Sequence, residues 1–208
     1  MRRLNWANRV TIFRILLLVP FMVVMLKRDG GDVSESMKDI LRYIAFVLFM
    51  LMAISDGIDG YLARKRGQIT KLGTFLDPTA DKLLMTCTCL LLAIPVTAVK
   101  GFVLEPTVAV LIIGKDLFLL IGFIIVYFTT FRVTVVPVKI GKIATCLQLT
   151  MAAGILLGPE ISKVIPCWLS VLKVIWWSAA GTAILTTLIY IRNGSRYIAE
   201  YEQQNSKD

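Results

Sequence analysis

SDGIDGYLARKRGQITKLGTFLDPTADK, residues 55–82, is the stretch from which the rest of the chain can be read. It contains four carboxylates, Asp56, Asp59, Asp77 and Asp81, each beside a long apolar run. Asp56, Asp59, Gly60, Ala63 and Arg64 fall at i, i+3, i+4, i+7 and i+8, which is one face of a helix. Gly73, Asp77 and Asp81 follow at i, i+4 and i+8 on a second helical face. Each face therefore presents two acids beside a glycine that lets another group come close. Crowded carboxylates repel one another unless a divalent cation or a shared proton relieves them. Their oxygens are hard ligands, so Mg²⁺ or Mn²⁺ suits them. Two such ions about 3.5–4 Å apart suit an in-line displacement at phosphorus.

Around this stretch the chain is strongly apolar. Of its 208 residues 57% are hydrophobic, and the mean hydropathy is +0.74, which fits an all-α polytopic membrane protein better than a soluble domain. The net charge of +9 sits in segments between apolar runs. No nucleic-acid motif accompanies it, so anionic lipid and a phosphate-rich substrate are the expected partners rather than nucleic acid. The absence of His leaves neither His acid–base catalysis nor a His-liganded metal available. Cys87, Cys89, Cys146 and Cys167 lie in or beside apolar segments without zinc-like spacing and read as packing residues. The first apolar run lacks a cleavage-site pattern, so no cleavable signal peptide is expected.

In chain order, residues 1–9 are short and basic and could form a small interfacial helix anchored by Trp6. Six spans follow, at about 10–26, 40–63, 73–99, 107–128, 141–158 and 169–191, forming a single membrane domain over 1–208. Pro78 and Pro95 could kink the third span. A polar tail from about 192 is expected to fray. In the first span Asn8, Thr11 and Arg14 share a face, and Arg14 either snorkels to the interface or turns towards the acidic site. Lys115-Asp116 interrupts the fourth span, as a structural ion pair or as part of a polar cavity. The fifth opens with Gly141, Lys142, Thr145 and Gln148 on one polar face. Trp176 and Trp177 read as packing or belt residues.

Counting Lys and Arg orients the chain. With both termini inside, fourteen of the 23 fall on inner segments and seven on outer ones, leaving Arg14 and Lys115 within spans. This puts the acidic stretch on the cytoplasmic face, where a cytosolic nucleotide-activated substrate can reach it. A bacterial-type inner membrane is the expected location.

The spacing Asp56-xx-Asp59-Gly60-xx-Ala63-Arg64, eight residues, Gly73-xxx-Asp77-xxx-Asp81 resembles the signature of the CDP-alcohol phosphotransferase family. Eight typed positions over 26 residues make the likeness specific. The resemblance implies a phosphatidyltransferase that takes CDP-diacylglycerol and releases CMP. It assigns Asp56, Asp59, Asp77 and Asp81 as ligands of two Mg²⁺ or Mn²⁺ ions, with Asp81 also the general base. It places Gly60, Ala63, Arg64 and Gly73 against the nucleotide and diphosphate, with Thr11 and Arg14 turned towards them. It also implies a homodimer. The G-K-x-x-T-x-x-Q pattern resembles the glycerophospholipid branch, whose acceptor would lie near Lys115, Asp116, Arg132, Lys139, Lys142 and Gln148.

Two acceptors stay open. Phosphatidylglycerophosphate synthases often show Arg-Glu in the fourth span and a second Arg two turns later; here Lys115-Asp116 stands there, with Phe123 further on. That departure resembles the CMP-forming cardiolipin synthases, so phosphatidylglycerol is the leading acceptor and glycerol 3-phosphate the alternative. A different class, an ion or solute carrier, would also place acids and an Arg inside a helical bundle. Against it, the acids cluster at one face and no repeated halves occur.

Overall fold

On each long helix the buried residues recur every three or four positions, so each helix turns one stripe towards its neighbours. The computed structural model describes the backbone of residues 6–28, 33–66, 71–130 and 139–205, and within these the side chains of 11–28, 33–55, 80, 82–122, 124 and 140–196. Among the described residues the chain is all-helical. Helix α1 is Trp6–Lys27, α2 Glu35–Arg66, α3 Lys71–Ala93, α4 Pro106–Thr130, α5 Lys139–Leu156, α6 Gly158–Val164 and α7 Trp168–Asn205. The only strand-like pairing there is an isolated bridge between Val99 and Phe102.

Helix α1 packs on α2 and α3, while α4 and α5 pack on α7; the two groups meet where α3 touches α4 and α5 and where α2 touches α5. One continuous apolar core runs through all of them, including Phe21, Phe49, Met52, Leu92, Ile112 and Met151. On α7 the small residues Ala179, Ala180 and Ala183 line the buried stripe, which lets that helix approach closely.

The outer faces are apolar too. Leu16, Val47, Val110, Phe118, Val174 and Leu188 are each more than half exposed. Large apolar side chains facing outward on every long helix match hydrocarbon as the surrounding solvent. Among the described residues, Trp168–Arg196 is long and apolar enough to cross a membrane. Ile140–Leu156 and Gly158–Val164 would add a second crossing only as one span bent by 80°.

The long helices match the six expected segments, with four differences. The third segment stops at Ala93, because the residue before Pro95 is pushed out of the helical region. Its last carbonyls are then satisfied by the Thr97 hydroxyl, which donates to Leu91 O at 2.6 Å, and by Leu104 N–H, which donates to Leu92 O at 2.9 Å. Pro78 lies within α3 without ending it. The fifth segment continues past a sharp corner into α6, where Pro159 fits the first turn without needing its missing N–H. The expected fraying tail is instead helical to Asn205, because polarity ends a membrane span without ending a helix. At the other end, Trp6–Arg9 forms the first turn of α1, and residues 1–5 of the expected interfacial segment lie outside the described residues.

The reading of the cysteines needs amendment. Of the four cysteines only Cys89 is fully buried; Cys146 and Cys167 are exposed and do not pack a core. The tryptophans keep to their expected reading as packing or belt residues: Trp176 is buried and packs, while Trp177 is 55% exposed and faces outward.

The α5–α6 corner is pinned from three sides. Arg42 of α2, 2% exposed, donates to Leu156 O at 2.9 Å, to both oxygens of Glu160 and to Asp39 at 3.0 Å. Tyr43 donates to Glu160 at 2.7 Å, and the Arg42 guanidinium lies 4.9 Å from the Tyr43 ring centroid. These hydrogen bonds, Arg42's foremost, hold the Glu160 carboxyl well below its ordinary range, at about 2. The Phe102 ring covers Gly158, where an added Cβ would lie 2.6–2.8 Å from three ring atoms. Gly158→Ala should therefore lower stability by about 1–3 kcal/mol through overpacking. Thermal unfolding in detergent checks this, and pairing the change with Phe102→Leu should recover most of the loss.

Candidate active site

The buried stripes change character along the bundle. On α2 the stripe runs Arg42, Ala45, Phe49, Met52, all buried. Continued at the same spacing it reaches Asp56, Asp59 and Ala63. On α3 Leu84, Thr88 and Leu91 are buried, and the same register read backwards reaches Asp81 and Asp77. By helix register, then, all four acids continue the faces that are apolar further along. The side chains of Asp56, Asp59, Asp77 and Asp81 lie outside the described residues, as do those of Ala63, Arg64 and the positions of Gly60 and Gly73 beyond their helical backbone.

Helix geometry also matches the acids in depth. Helix α2 ends at Arg66 and α3 begins at Lys71, both at the same end of the bundle. At 1.5 Å per residue, Asp59 and Asp77 stand roughly 10 Å from that end and Asp56 and Asp81 about 15 Å from it. The four positions pair off at two levels. A donor set of four hard carboxylates arranged this way suits Mg²⁺ or Mn²⁺.

Other helices bring polar groups to the same half. On α1, Thr11 and Arg14 are 1% and 2% exposed, so Arg14 turns into the bundle and does not snorkel outward. On α4, Lys115 Nζ lies 3.1 Å from Asp116 Oδ1, and both side chains are buried. The pair lies near Lys82 and Cys89, two turns apart on α3, and so sits alongside that stripe. On α5, Gln148 is 1% exposed. Lys142 is exposed. Arg132 and the side chain of Lys139 lie outside the described residues.

The structure adds two residues that were not singled out from the sequence. Lys82 follows Asp81 and faces the Lys115–Asp116 pair. Thr88 is fully buried, two turns beyond Asp81 on the same face, and its hydroxyl makes no hydrogen bond. The i+7 spacing from Asp81 was the available signal for Thr88, but a threonine in an apolar run reads as a helix-packing residue.

A family profile described as CDP-alcohol phosphatidyltransferase matches residues 4–190, nearly the whole chain. The chain belongs to the CDP-alcohol phosphatidyltransferase family. It is an enzyme of this class, in a family of membrane proteins. Among curated relatives, a protein from Bacillus subtilis (strain 168) is 33% identical over 74% of this chain and 77% of its own length. One from Rickettsia bellii (strain RML369-C) is 32% identical over 93% of this chain and 97% of its own. One from Rickettsia felis is 28% identical over the same share of this chain. All three carry the name CDP-diacylglycerol–glycerol-3-phosphate 3-phosphatidyltransferase. The phosphatidyltransferase profile stops at residue 190, so the last turns of α7 extend beyond the family's shared core.

Proposed function

We propose that the protein transfers the phosphatidyl group of CDP-diacylglycerol to glycerol 3-phosphate, forming phosphatidylglycerophosphate and CMP. The observation that carries this reading is the name shared by relatives that match 74% and 93% of the chain at 33% and 32% identity. It reverses the order of acceptors expected from Lys115-Asp116 and Phe123, which had put phosphatidylglycerol first. A lysine in place of an arginine still offers a cation to a phosphate, as a point charge rather than a fork. The second arginine's share of the charge would fall to Lys142, Arg132 and Lys139.

In this reaction the acceptor hydroxyl oxygen attacks the lipid-side phosphorus, the new P–O bond forms and the bond to CMP breaks. Asp81 takes the hydroxyl proton. Asp56, Asp59, Asp77 and Asp81 would hold two Mg²⁺ or Mn²⁺ ions, which when bound neutralise diphosphate charge. Arg64 suits a diphosphate oxygen because its fork makes two charge-assisted bonds. Gly60, Ala63 and Gly73 leave room for the nucleotide, and Thr11 and Arg14 close the site from α1. Most of the rate then comes from positioning and charge neutralisation. Six membrane crossings with both ends inside, and a homodimeric state, belong to the same proposal. The excess of Lys and Arg on the signature side and the apolar outer faces support the orientation.

Purified protein given CDP-diacylglycerol and Mg²⁺ or Mn²⁺ should release CMP with glycerol 3-phosphate and not with phosphatidylglycerol. Cardiolipin formed only from phosphatidylglycerol would restore the other acceptor.

A further inference from the structure

Arg42 stands at the opposite end of α2 from the acids, yet it is among the most deeply buried charges described. A buried ion pair can often be exchanged for apolar side chains without loss of stability; its best-attested use is to fix register. Here the register is between two helices. The chain bends by 80° where α5 meets α6, and Arg42 bonds to both sides of that corner. It donates to Leu156 O, at the last residue of α5, and to the Glu160 carboxylate in α6. Asp39, one turn back on α2, accepts from one of its terminal nitrogens, and the neighbouring Tyr43 donates to Glu160. Bonds in several directions from one helix to the end of another oppose both sliding and rotation.

The clamp also joins the two groups of helices, since α2 packs with α1 while α5 packs with α7. From Arg42, α2 runs fourteen residues to Asp56; from Leu156, α5 runs back fourteen residues to Lys142. Each therefore stands about 21 Å from the clamp, which puts Asp56 and Lys142 at one depth. Neither stretch contains a proline or a break, so a shift at the clamp is carried to the other end. A slip of one residue moves a helix by about 1.5 Å. Misplacing reacting groups by about 1 Å can cost a hundredfold in rate.

We infer that Arg42 is a positioning residue: through Leu156 and Glu160 it sets the axial register of α2 against α5, and so aligns the acids with the acceptor's cations about 20 Å away. This rests on the phosphatidyltransferase reading, which puts CDP-diacylglycerol and metal against α1, α2 and α3 and the acceptor against α4 and α5. It holds for either acceptor.

The test is steady-state kinetics of Arg42→Met, which keeps an unbranched side chain and removes the bonds. Glycerol 3-phosphate, CDP-diacylglycerol and Mg²⁺ are varied in turn at a temperature where circular dichroism shows the variant folded. The expected result is a KM for glycerol 3-phosphate raised about tenfold or more. The KM for CDP-diacylglycerol and the half-saturating Mg²⁺ concentration should stay within twofold of wild type. Loss of folded protein alone lowers the maximal rate and moves no KM. An acceptor KM within twofold of wild type would therefore overturn the inference, whatever the melting temperature. A joint rise in both KM values would overturn it too, as general loosening of the bundle. Should Arg42→Met fail to fold, Glu160→Gln decides by the same criteria, because that side chain is 30% exposed and the change keeps its size. Should wild type use only phosphatidylglycerol, the acceptor reading fails, and the same kinetics with that acceptor still decide the role of Arg42.

Discussion

Replacing Asp81 with asparagine is expected to cut CMP release by at least about a hundredfold, the usual lower range for losing a positioned general base. The amide is nearly the same size as the carboxylate, but it cannot take the acceptor's proton and carries no charge for a metal ion. Two roles are lost together, which places this among the largest effects any single change should have on activity. The fold should survive, because Asp81 continues a stripe whose packing is supplied by Ala80, Leu84 and Met85 nearby. Gel filtration and circular dichroism of the variant, run beside a CMP-release assay, separate the two quantities. Normal turnover by well-folded Asp81→Asn protein would remove Asp81 from the chemistry.

Arg42→Ala should have the largest effect on stability. It removes a buried guanidinium that serves Leu156 O, Asp39 and both oxygens of Glu160 at once. Breaking one side of such a pair strands the other, at a cost of about 3 kcal/mol or more. For a chain of this size that corresponds to a fall of roughly 6–12 °C in melting temperature. The pH dependence has a definite sign. The Glu160 carboxyl titrates at about 2 in the folded protein against an ordinary 4.5, so its contribution is complete above about 4.5 and is lost as pH falls through about 2. Wild type should lose melting temperature over that window more steeply than Glu160→Gln. Parallel slopes would show that the corner does not depend on this charge.

The two halves of the bundle were not equally legible in the sequence. Asp56, Asp59, Asp77 and Asp81 stood out because acids at helical spacing beside apolar runs carry a high energetic cost, and that cost points to chemistry. The Arg42–Glu160 clamp gave no such signal. Its partners are 118 residues apart, and each alone reads as a charge near a span end. The α3 terminus was readable in principle from Pro95, yet the apolar residues beyond it hid the turn. The tail after Ile191 was misjudged because loss of hydropathy was equated with loss of helix, although Ala199, Glu200 and Glu202 are good helix formers. The acceptor was ambiguous for a different reason: a buried Lys–Asp pair suits a phosphate or a lipid headgroup, and only the relatives tip the balance.

Helix α7 is 38 residues long, about 57 Å, against a hydrocarbon layer of roughly 30 Å. It has no break between its first residues beside the α6 corner and Asn205. A rod without a joint tilts as one piece. A fluorophore or spin label fixed near Arg196, in the polar turns beyond Ile191, would therefore report the inclination of the helix against which α4 and α5 rest, and not the wandering of a loose end.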